Sequence, residues 1–256
     1  MMYSIPPIRP FRAKEEPNQD TISSLSFAFL FKQIFSSLPP PLKLPTIQLT
    51  PNEVRTLYNC CFLSKMIYLS PENRPFPKSL NHVAYESTRS ELYRIPYFIV
   101  DSPELNTIFV TCRGSYCFAD FIVDIKASAE DYDGGKVHQG VYLTAKNIYE
   151  EITSKVLSLY AKHKKHKRKI MFTGHSLGAS VSALINETFR TFHPEFDSQC
   201  FIFAPCAAFS EDLWAKCHPH TISYVLEGDF VPFLSFTTFF ELPKGSLPSF
   251  FKQYLE

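Results

Sequence analysis

The segment Gly174–Gly178 places a serine between two glycines in the order Gly-His-Ser-Leu-Gly. This spacing provides a nucleophilic serine when a strand leads into it and a helix follows, because the hydroxyl then projects from a sharp turn. Residues 168–173 are typical of a short buried strand, and residues 179–185 are typical of a helix rich in small side chains. With 8 glycines in 256 residues, a chance match is about a one-in-forty event. The sequence therefore predicts a nucleophile elbow with Ser176 at its tip.

A nucleophilic serine also needs hydrogen-bond donors for the oxyanion that forms on the attacked carbonyl. The backbone N–H of Leu177, directly after the serine, is the first candidate. The second is Ser115, which follows Arg113 and Gly114 at the end of a predicted strand. We expect no metal or cofactor. His218-Pro219-His220 has no further ligands near it in the sequence, and the acidic residues at 131–135 lack the spacing of a calcium loop.

The elements that must position these residues alternate between strands and helices. Thr50, Pro51 and Glu53 predict a capped helix that runs to about Tyr68, and residues 131–135 predict a loop. The other predicted elements are strands at 91–100 and 106–112, a long helix at 141–160, and then a strand at 200–203, a helix at 211–217 and a strand at 221–226. The alternation predicts an α/β fold with a mainly parallel central sheet flanked by helices.

The composition is that of a globular chain without strong charge bias. Hydrophobic residues make up 45% of the sequence, and 26 basic side chains balance 25 acidic ones. A chain of this length can bury the core of one α/β domain. We therefore predict a proline-rich extension at residues 1–45 and one catalytic-type domain at residues 46–256. The basic run at 162–169 predicts a solvated loop, so we expect no nucleic-acid partner.

The cysteines and the N-terminal residues predict an intracellular, cytoplasmic protein. Residues 1–20 lack the apolar segment of a signal peptide, and cysteines such as Cys200 lie in apolar runs, which predicts reduced, buried thiols. The apolar stretch from Leu25 to Phe31 is too short to span a bilayer. Its phenylalanines leave open a peripheral membrane contact or, as the alternative, packing in the core. The sequence does not indicate an oligomeric state.

Taken together, these motifs resemble the class 3 lipase family, which has the α/β-hydrolase fold. The similarities occur in the family's order between about residue 50 and residue 235. Arg113-Gly114-Ser115 resembles the family's oxyanion motif, and residues 136–141 resemble its Val-His-x-Gly-Phe motif. Gly174–Gly178 resembles its elbow, and residues 228–232 resemble its Asp-x-Val-Pro motif. Ala179 departs from the family, which frequently has a further glycine there.

The resemblance implies an activity and further site residues. It implies a lipase-like serine ester hydrolase that acts on carboxylic esters of acylglycerols or phospholipids, with Asp229 as the acid of the catalytic triad. It also implies a lid over the site, where Phe121 stands in place of a common tryptophan. The expected lid residues are Phe118, Phe121, Ile122 and Ile125.

The histidine of the triad is the missing part of this resemblance. In the family it follows the aspartate on a C-terminal loop, but residues 230–256 contain no histidine, which predicts a shortened C-terminal part. Three explanations are open: the base is lost, His218 or His220 replaces it, or the sequence is incomplete. A lost base predicts the alternative function, a catalytically impaired lipase-like protein that binds lipid or a protein partner.

Overall fold

The structure is a computed structural model that describes residues 49–114, 129–162, 167–226 and 229. Several predictions fall outside these described residues. They are the extension at residues 1–45, half of the basic run (residues 163–166), the oxyanion residue Ser115 and the lid residues Phe118, Phe121, Ile122 and Ile125. The division of the chain into an extension and a domain therefore stays a prediction.

The centre of the described fold is a six-stranded sheet in the order β1-β2-β3-β6-β7-β8. Strands β3, β6, β7 and β8 are parallel, whereas β1 and β2 extend the sheet in antiparallel fashion. The predicted α/β fold with a mainly parallel sheet is confirmed. The strands are β1 Val83–Ser87, β2 Tyr97–Ser102, β3 Thr107–Cys112, β6 Lys169–His175, β7 Ser198–Phe203 and β8 Thr221–Tyr224. The sequence analysis did not predict β1.

Four α-helices of the described residues cover the two faces of this sheet. They are α1 Pro51–Met66, α2 Gln139–Lys162, α3 Leu177–Phe192 and α4 Glu211–Cys217. Alternate strand residues point to opposite faces, and the core divides accordingly. Phe98 and Val100 pack with α1, whereas Tyr97 and Ile99 share a cluster with α2 and α3. The sheet is therefore the middle of three layers.

The long helix α2 confirms the predicted apolar spacing, although it begins and ends two residues outside the predicted range. All six apolar positions that predicted its inner face are buried. These positions are Val141, Ala145, Ile148, Ile152, Val156 and Leu159. Their recurrence every three or four residues places them on one side of a helix, and that side packs on the sheet.

Helix α1 has the predicted capping box. The Glu53 carboxylate accepts a 2.7 Å hydrogen bond from the Thr50 backbone N–H, and the Thr50 hydroxyl accepts a 3.3 Å bond from the Glu53 N–H. The helix ends at Met66, two residues before the expected end. Tyr68 consequently lies in the turn after the helix rather than within it, and this places its side chain beside the site described below.

The prediction of a loop at residues 131–135 is wrong. Strands β4 Ala129–Tyr132 and β5 Gly135–His138 form a two-stranded hairpin there. Asp133 and Gly134 connect the strands with φ of 46° and 79°. Positive φ at both central residues is the turn that an Asp-Gly pair favours in hairpins, so the acidic residues and glycines belong to a hairpin turn.

The six cysteines of the described residues are all free, as predicted, and Cys117 lies outside the described residues. Five of them are buried, namely Cys60, Cys112, Cys200, Cys206 and Cys217, and Cys61 is exposed. Burial raises the pKa of the Cys112 thiol to about 12, so this thiol is protonated and packs as an apolar group. Among the helices of the described residues, none combines the length and the apolar character needed to cross a membrane.

Candidate active site

Ser176 lies in a sharp turn between β6, which ends at His175, and α3, which begins at Leu177. Its backbone has φ 56° and ψ −127°, a conformation that residues with a Cβ atom rarely adopt. Such a conformation costs about 1–3 kcal/mol and persists only when its surroundings hold it. Here the Ser176 N–H donates to the Phe203 carbonyl at 3.0 Å, and the Ser176 carbonyl accepts from the Ala179 N–H at 3.0 Å. The predicted strand, turn and helix are present.

The two glycines of the elbow allow three backbone segments to meet. A Cβ atom on Gly174 would lie 2.5 Å from the Gly178 carbonyl oxygen, and one on Gly178 would lie 2.4 Å from the carbonyl oxygen of Cys112. Both distances are far below van der Waals contact. The end of β3 and the start of α3 can therefore approach each other only because neither glycine has a side chain.

The loop after β3 runs directly beside the elbow. A Cβ atom on Gly114 would lie 2.6 Å from the His175 carbonyl oxygen and 3.3 Å from the Ser176 Cβ atom. Gly114 therefore touches the nucleophile candidate, and it immediately precedes Ser115, which lies outside the described residues. Leu177 begins α3, and the N–H groups at a helix N-terminus face outward and favour negative charge. The Leu177 N–H and Ser115 stay the predicted oxyanion donors.

The imidazole of His175 has two polar neighbours. Its Nδ1 atom lies 3.2 Å from the hydroxyl oxygen of Tyr68, and the two rings meet edge to face with centroids 6.0 Å apart. Although part of His175 is exposed, desolvation by the surrounding protein lowers the pKa of its imidazole. The negative charge of Asp229 opposes this effect and raises the pKa. The triad candidate Asp229 therefore lies within electrostatic reach of the elbow.

The effect of the Asp229 charge on the pKa of His175 should be measurable. We expect the pKa of His175 to fall further in Asp229→Asn, because the substitution removes the charge that favours the imidazolium and leaves the desolvation. In the wild type the imidazole should titrate below the ordinary histidine value, and in the variant at a still lower pH. NMR titration of the histidine ring carbons measures both values. His220, whose pKa is lowered by burial and by the charge of Arg190, is the internal control, and its pKa should not change. A His175 pKa that rises or stays constant in Asp229→Asn would contradict this electrostatic link.

His218 and His220 lie at the amino ends of the parallel strands, whereas Ser176 follows the carboxyl end of β6. They form a short 3-10 helix immediately before β8, which begins at Thr221. Thr221 is level with Cys200, and Cys200 is level with Phe172, four residues before the serine. At about 3.3 Å per residue, Thr221 lies about 13 Å from Ser176 along the strands. The structure therefore does not bring these two histidines to Ser176, and it corrects the idea that they replace the base.

The neighbours of these histidines support this placement. The His218 ring contacts Trp214 of α4, with ring centroids 6.3 Å apart. Burial and the charge of Arg190, in the last turn of α3, lower the pKa of His220. Arg190 lies at the end of α3, whereas Ser176 immediately precedes its first residue.

Two further motif residues have structural contacts. The Arg113 guanidinium donates to the Ser90 hydroxyl at 3.1 Å. The backbone N–H of His138 donates to the Ala208 carbonyl at 2.8 Å. Within the described ranges, no group of three or more His, Cys, Asp or Glu side chains could hold a metal ion.

Tyr68 is the site residue that the sequence analysis missed. Its hydroxyl oxygen accepts a 3.1 Å hydrogen bond from the Gly114 N–H and also contacts His175. It is separated from Gly114 by 46 positions and from His175 by 107. No local pattern marks this residue, because its role depends on where α1 ends and on how that helix packs against the sheet.

Comparison with known proteins identifies relatives of this chain. A family model described as "Lipase (class 3)" matches residues 109–239, which is more than half of the chain. Diacylglycerol lipase-beta of Mus musculus is 24% identical over 196 residues, covering 74% of this chain and 28% of the mouse protein. Phospholipase A1 PLIP2, chloroplastic, of Arabidopsis thaliana is 35% identical over 92 residues, covering 35% of this chain and 13% of the plant protein. The chain thus spans less than a third of these relatives.

Among solved structures, the triacylglyceride lipase of Rhizomucor miehei is similar in fold. It superimposes with a TM-score of 0.64 at 19% sequence identity, covering 73% of this chain and 76% of the fungal chain. At this identity the similarity shows a shared fold. Together with the parallel sheet and the elbow, it identifies the fold as that of the α/β hydrolases.

Proposed function

This chain belongs to the class 3 lipase family, and we propose that it is a lipase-like serine ester hydrolase with Ser176 as its nucleophile. The observation that carries the proposal is the backbone of Ser176, with φ 56° and ψ −127° at the tip of the elbow. Strained backbone at a serine is stable only where the surrounding structure enforces it. Here two glycine contacts and the hydrogen bond to Phe203 do so, which supports a role for the projecting hydroxyl.

The proposed reaction is acyl transfer through an acyl-enzyme. Ser176 Oγ attacks the ester carbonyl carbon, and the carbonyl oxygen becomes an oxyanion that accepts hydrogen bonds from the Leu177 N–H and from Ser115. The proton of Ser176 passes to a base and then to the departing alcohol. Water next attacks the acyl-enzyme by the same route and releases the carboxylic acid. Asp229 is proposed as the acid that orients the base.

The proposed substrates are carboxylic esters of acylglycerols or phospholipids. The two relatives in the comparison are named as a diacylglycerol lipase and a phospholipase A1, and both names refer to glycerolipid esters. Because such substrates lie in membranes, we also propose a peripheral contact between this protein and a membrane surface. The six free cysteines of the described residues support a reducing, cytoplasmic location.

The positions of the two histidines that could replace the triad base favour a second candidate function. His218 and His220 precede β8 at the amino ends of the parallel strands, whereas Ser176 follows the carboxyl end of β6. A protein with the elbow but without a base would bind lipid esters and turn them over slowly. Without a triad member, the oxyanion hole and binding alone still accelerate such reactions about 10³–10⁴-fold over water. The alternative is therefore a catalytically impaired protein that binds lipid or a protein partner.

Added imidazole separates the two functions. We measure fatty acid release from a diacylglycerol and from a phosphatidylcholine, with and without imidazole in the buffer, and use Ser176→Ala as the control. If Ser176 is positioned for attack but lacks a base, imidazole should raise the rate about tenfold or more, because base catalysis contributes about 10²–10⁴-fold in an intact site. Hydrolysis that is fast without imidazole and absent in Ser176→Ala supports the complete enzyme.

Two other outcomes would contradict hydrolysis by Ser176, and the first of them supports the alternative function. No release under either condition, from protein that binds vesicles of the same lipid, would contradict the hydrolase. Release that is equal in the wild type and in Ser176→Ala would show a reaction that does not use the elbow. Both outcomes would remove Ser176 as the proposed nucleophile.

A further inference from the structure

We propose that Tyr68 is a positioning residue. Its hydroxyl group holds two neighbours of Ser176 in fixed positions, namely the His175 imidazole and the oxyanion loop, which begins after β3 with Arg113 and Gly114. This inference rests on the proposed function, because it assigns a role in the reaction of that serine. Tyr68 acts through its neighbours, which include the Gly114 backbone on the loop after β3 and the side chain of His175 on the elbow.

The position of Tyr68 is set by a well-anchored helix. Its backbone N–H donates to the Lys65 carbonyl at 3.2 Å, which fixes the turn after α1. Helix α1 is joined to the elbow strand by a buried hydrogen bond of 3.0 Å between Ser64 and Thr173. The side chains of Cys60 and Leu63 pack in the same core layer. The tyrosine hydroxyl therefore reaches the elbow from an element with little freedom to move.

The contact with Gly114 orients the oxyanion loop. Strand β3 ends at Cys112, and the next N–H, that of Arg113, still donates to a backbone carbonyl, that of Pro96, at 2.9 Å. The N–H of Gly114 instead donates to the Tyr68 hydroxyl at 3.1 Å. The direction of the peptide that leads into Ser115 thus depends on a side chain from α1. The fit is close, since a Cβ atom on Gly114 would lie 2.5 Å from this hydroxyl oxygen.

The contact with His175 couples the hydroxyl to the imidazole. The phenol oxygen accepts from the Gly114 N–H and also lies 3.2 Å from His175 Nδ1. It donates to Nδ1 when the imidazole carries its proton at Nε2, and it accepts from Nδ1 when the proton is there. One hydroxyl group therefore bridges a backbone donor on the oxyanion loop and a ring nitrogen next to the nucleophile. Movement of the loop and movement of the elbow are coupled through it.

The test compares Tyr68→Phe with Tyr58→Phe. Both substitutions remove one hydroxyl from the α1 segment, but Tyr58 is 66% exposed and lies on the outer side of the helix. We measure the rate at which a fluorophosphonate probe labels Ser176, together with kcat and KM for a short-chain ester. We expect Tyr68→Phe to lower the labelling rate and kcat about tenfold, the effect of one hydrogen bond of ordinary strength, with KM unchanged. Tyr58→Phe should match the wild type.

A spectroscopic readout tests the geometry without relying on activity. The ¹⁵N chemical shifts of the His175 ring report which nitrogen carries the proton. We expect the proportion of the Nδ1–H and Nε2–H forms to differ between the wild type and Tyr68→Phe, because the substitution removes the hydrogen-bond partner of Nδ1. Near-UV circular dichroism should show that the variant keeps its fold.

The outcomes separate this inference from the proposed function. If the wild type labels at Ser176 and Tyr68→Phe labels at the same rate, the positioning role is overturned, whatever the tautomer. An unchanged tautomer in Tyr68→Phe overturns the hydrogen-bond bridge. If the probe does not label the wild type, the proposed function fails. In that case a tautomer change in Tyr68→Phe still supports the arrangement of Tyr68 and His175.

Discussion

Replacing Ser176 by alanine is expected to abolish ester hydrolysis and leave the fold intact. Alanine lacks only the hydroxyl oxygen and keeps the Cβ atom, so the strained backbone and its hydrogen bonds to Phe203 and Ala179 are unchanged. The free energy of unfolding should change by less than about 1 kcal/mol. The value of kcat/KM should fall by about 10³-fold or more, since removal of a serine nucleophile removes the covalent route. Hydrolysis of a chromogenic ester and chemical denaturation measure the two effects.

Ser180→Ala is the matched control for this substitution. Ser180 is also a serine of the elbow region, in the first turns of α3, but it is fully buried and its hydroxyl donates to the Cys206 carbonyl at 3.1 Å. We expect Ser180→Ala to keep the activity and to lose about 1 kcal/mol of stability through the broken hydrogen bond. If Ser176→Ala retained the wild-type rate, or if both variants lost it equally, Ser176 would not be the nucleophile.

Gly178→Ala is expected to cause the largest loss of stability. In an open helix the same change stabilises a protein by roughly 0.5–1 kcal/mol, so the sign of the effect is informative. Here the new Cβ atom would lie 2.4 Å from the Cys112 carbonyl oxygen and 2.6 Å from the Arg113 carbonyl carbon. Both are backbone atoms, and they cannot move without displacing β3. We expect a loss of about 3 kcal/mol, measured by chemical denaturation, and a slower reaction of Ser176 with the probe.

Gly134→Ala provides the comparison within the same chain. Gly134 has φ 79°, and the nearest atom to its new Cβ would be Lys216 Nζ at 3.8 Å. This substitution therefore carries backbone strain without a clash, about 1–2 kcal/mol, and it should leave the reactivity of Ser176 unchanged. If Gly178→Ala were no more destabilising than Gly134→Ala, the close approach of β3 to α3 would not be a structural requirement.

The sequence allowed the elements around the elbow to be predicted because each has a local signal. The Thr50 capping box predicts the start of α1, the apolar spacing from Val141 predicts α2, and Gly174–Gly178 predicts the turn that carries Ser176. The motif order was sufficient for the family assignment, which the family model confirms. These features depend on residues that are close together in the chain.

The remaining features depend on contacts between distant residues. Tyr68 belongs to the site because α1 ends two residues earlier than predicted and packs against β6. His218 and His220 are excluded from it because the parallel register places the start of β8 level with Phe172 rather than with Ser176. Neither fact has a local signature, since register and packing are properties of the folded sheet.

Mapping the adduct of a fluorophosphonate probe tests the central claim, that Ser176 is a nucleophile, most directly. After the full chain has reacted with the probe, proteolysis and tandem mass spectrometry locate the added mass. We predict one adduct, on the peptide that contains Gly174–Gly178 and on the serine itself, with none on Ser180 or Ser182 of the same helix. A folded protein that carries no adduct, or an adduct on another residue, would contradict the assignment of Ser176 as the nucleophile.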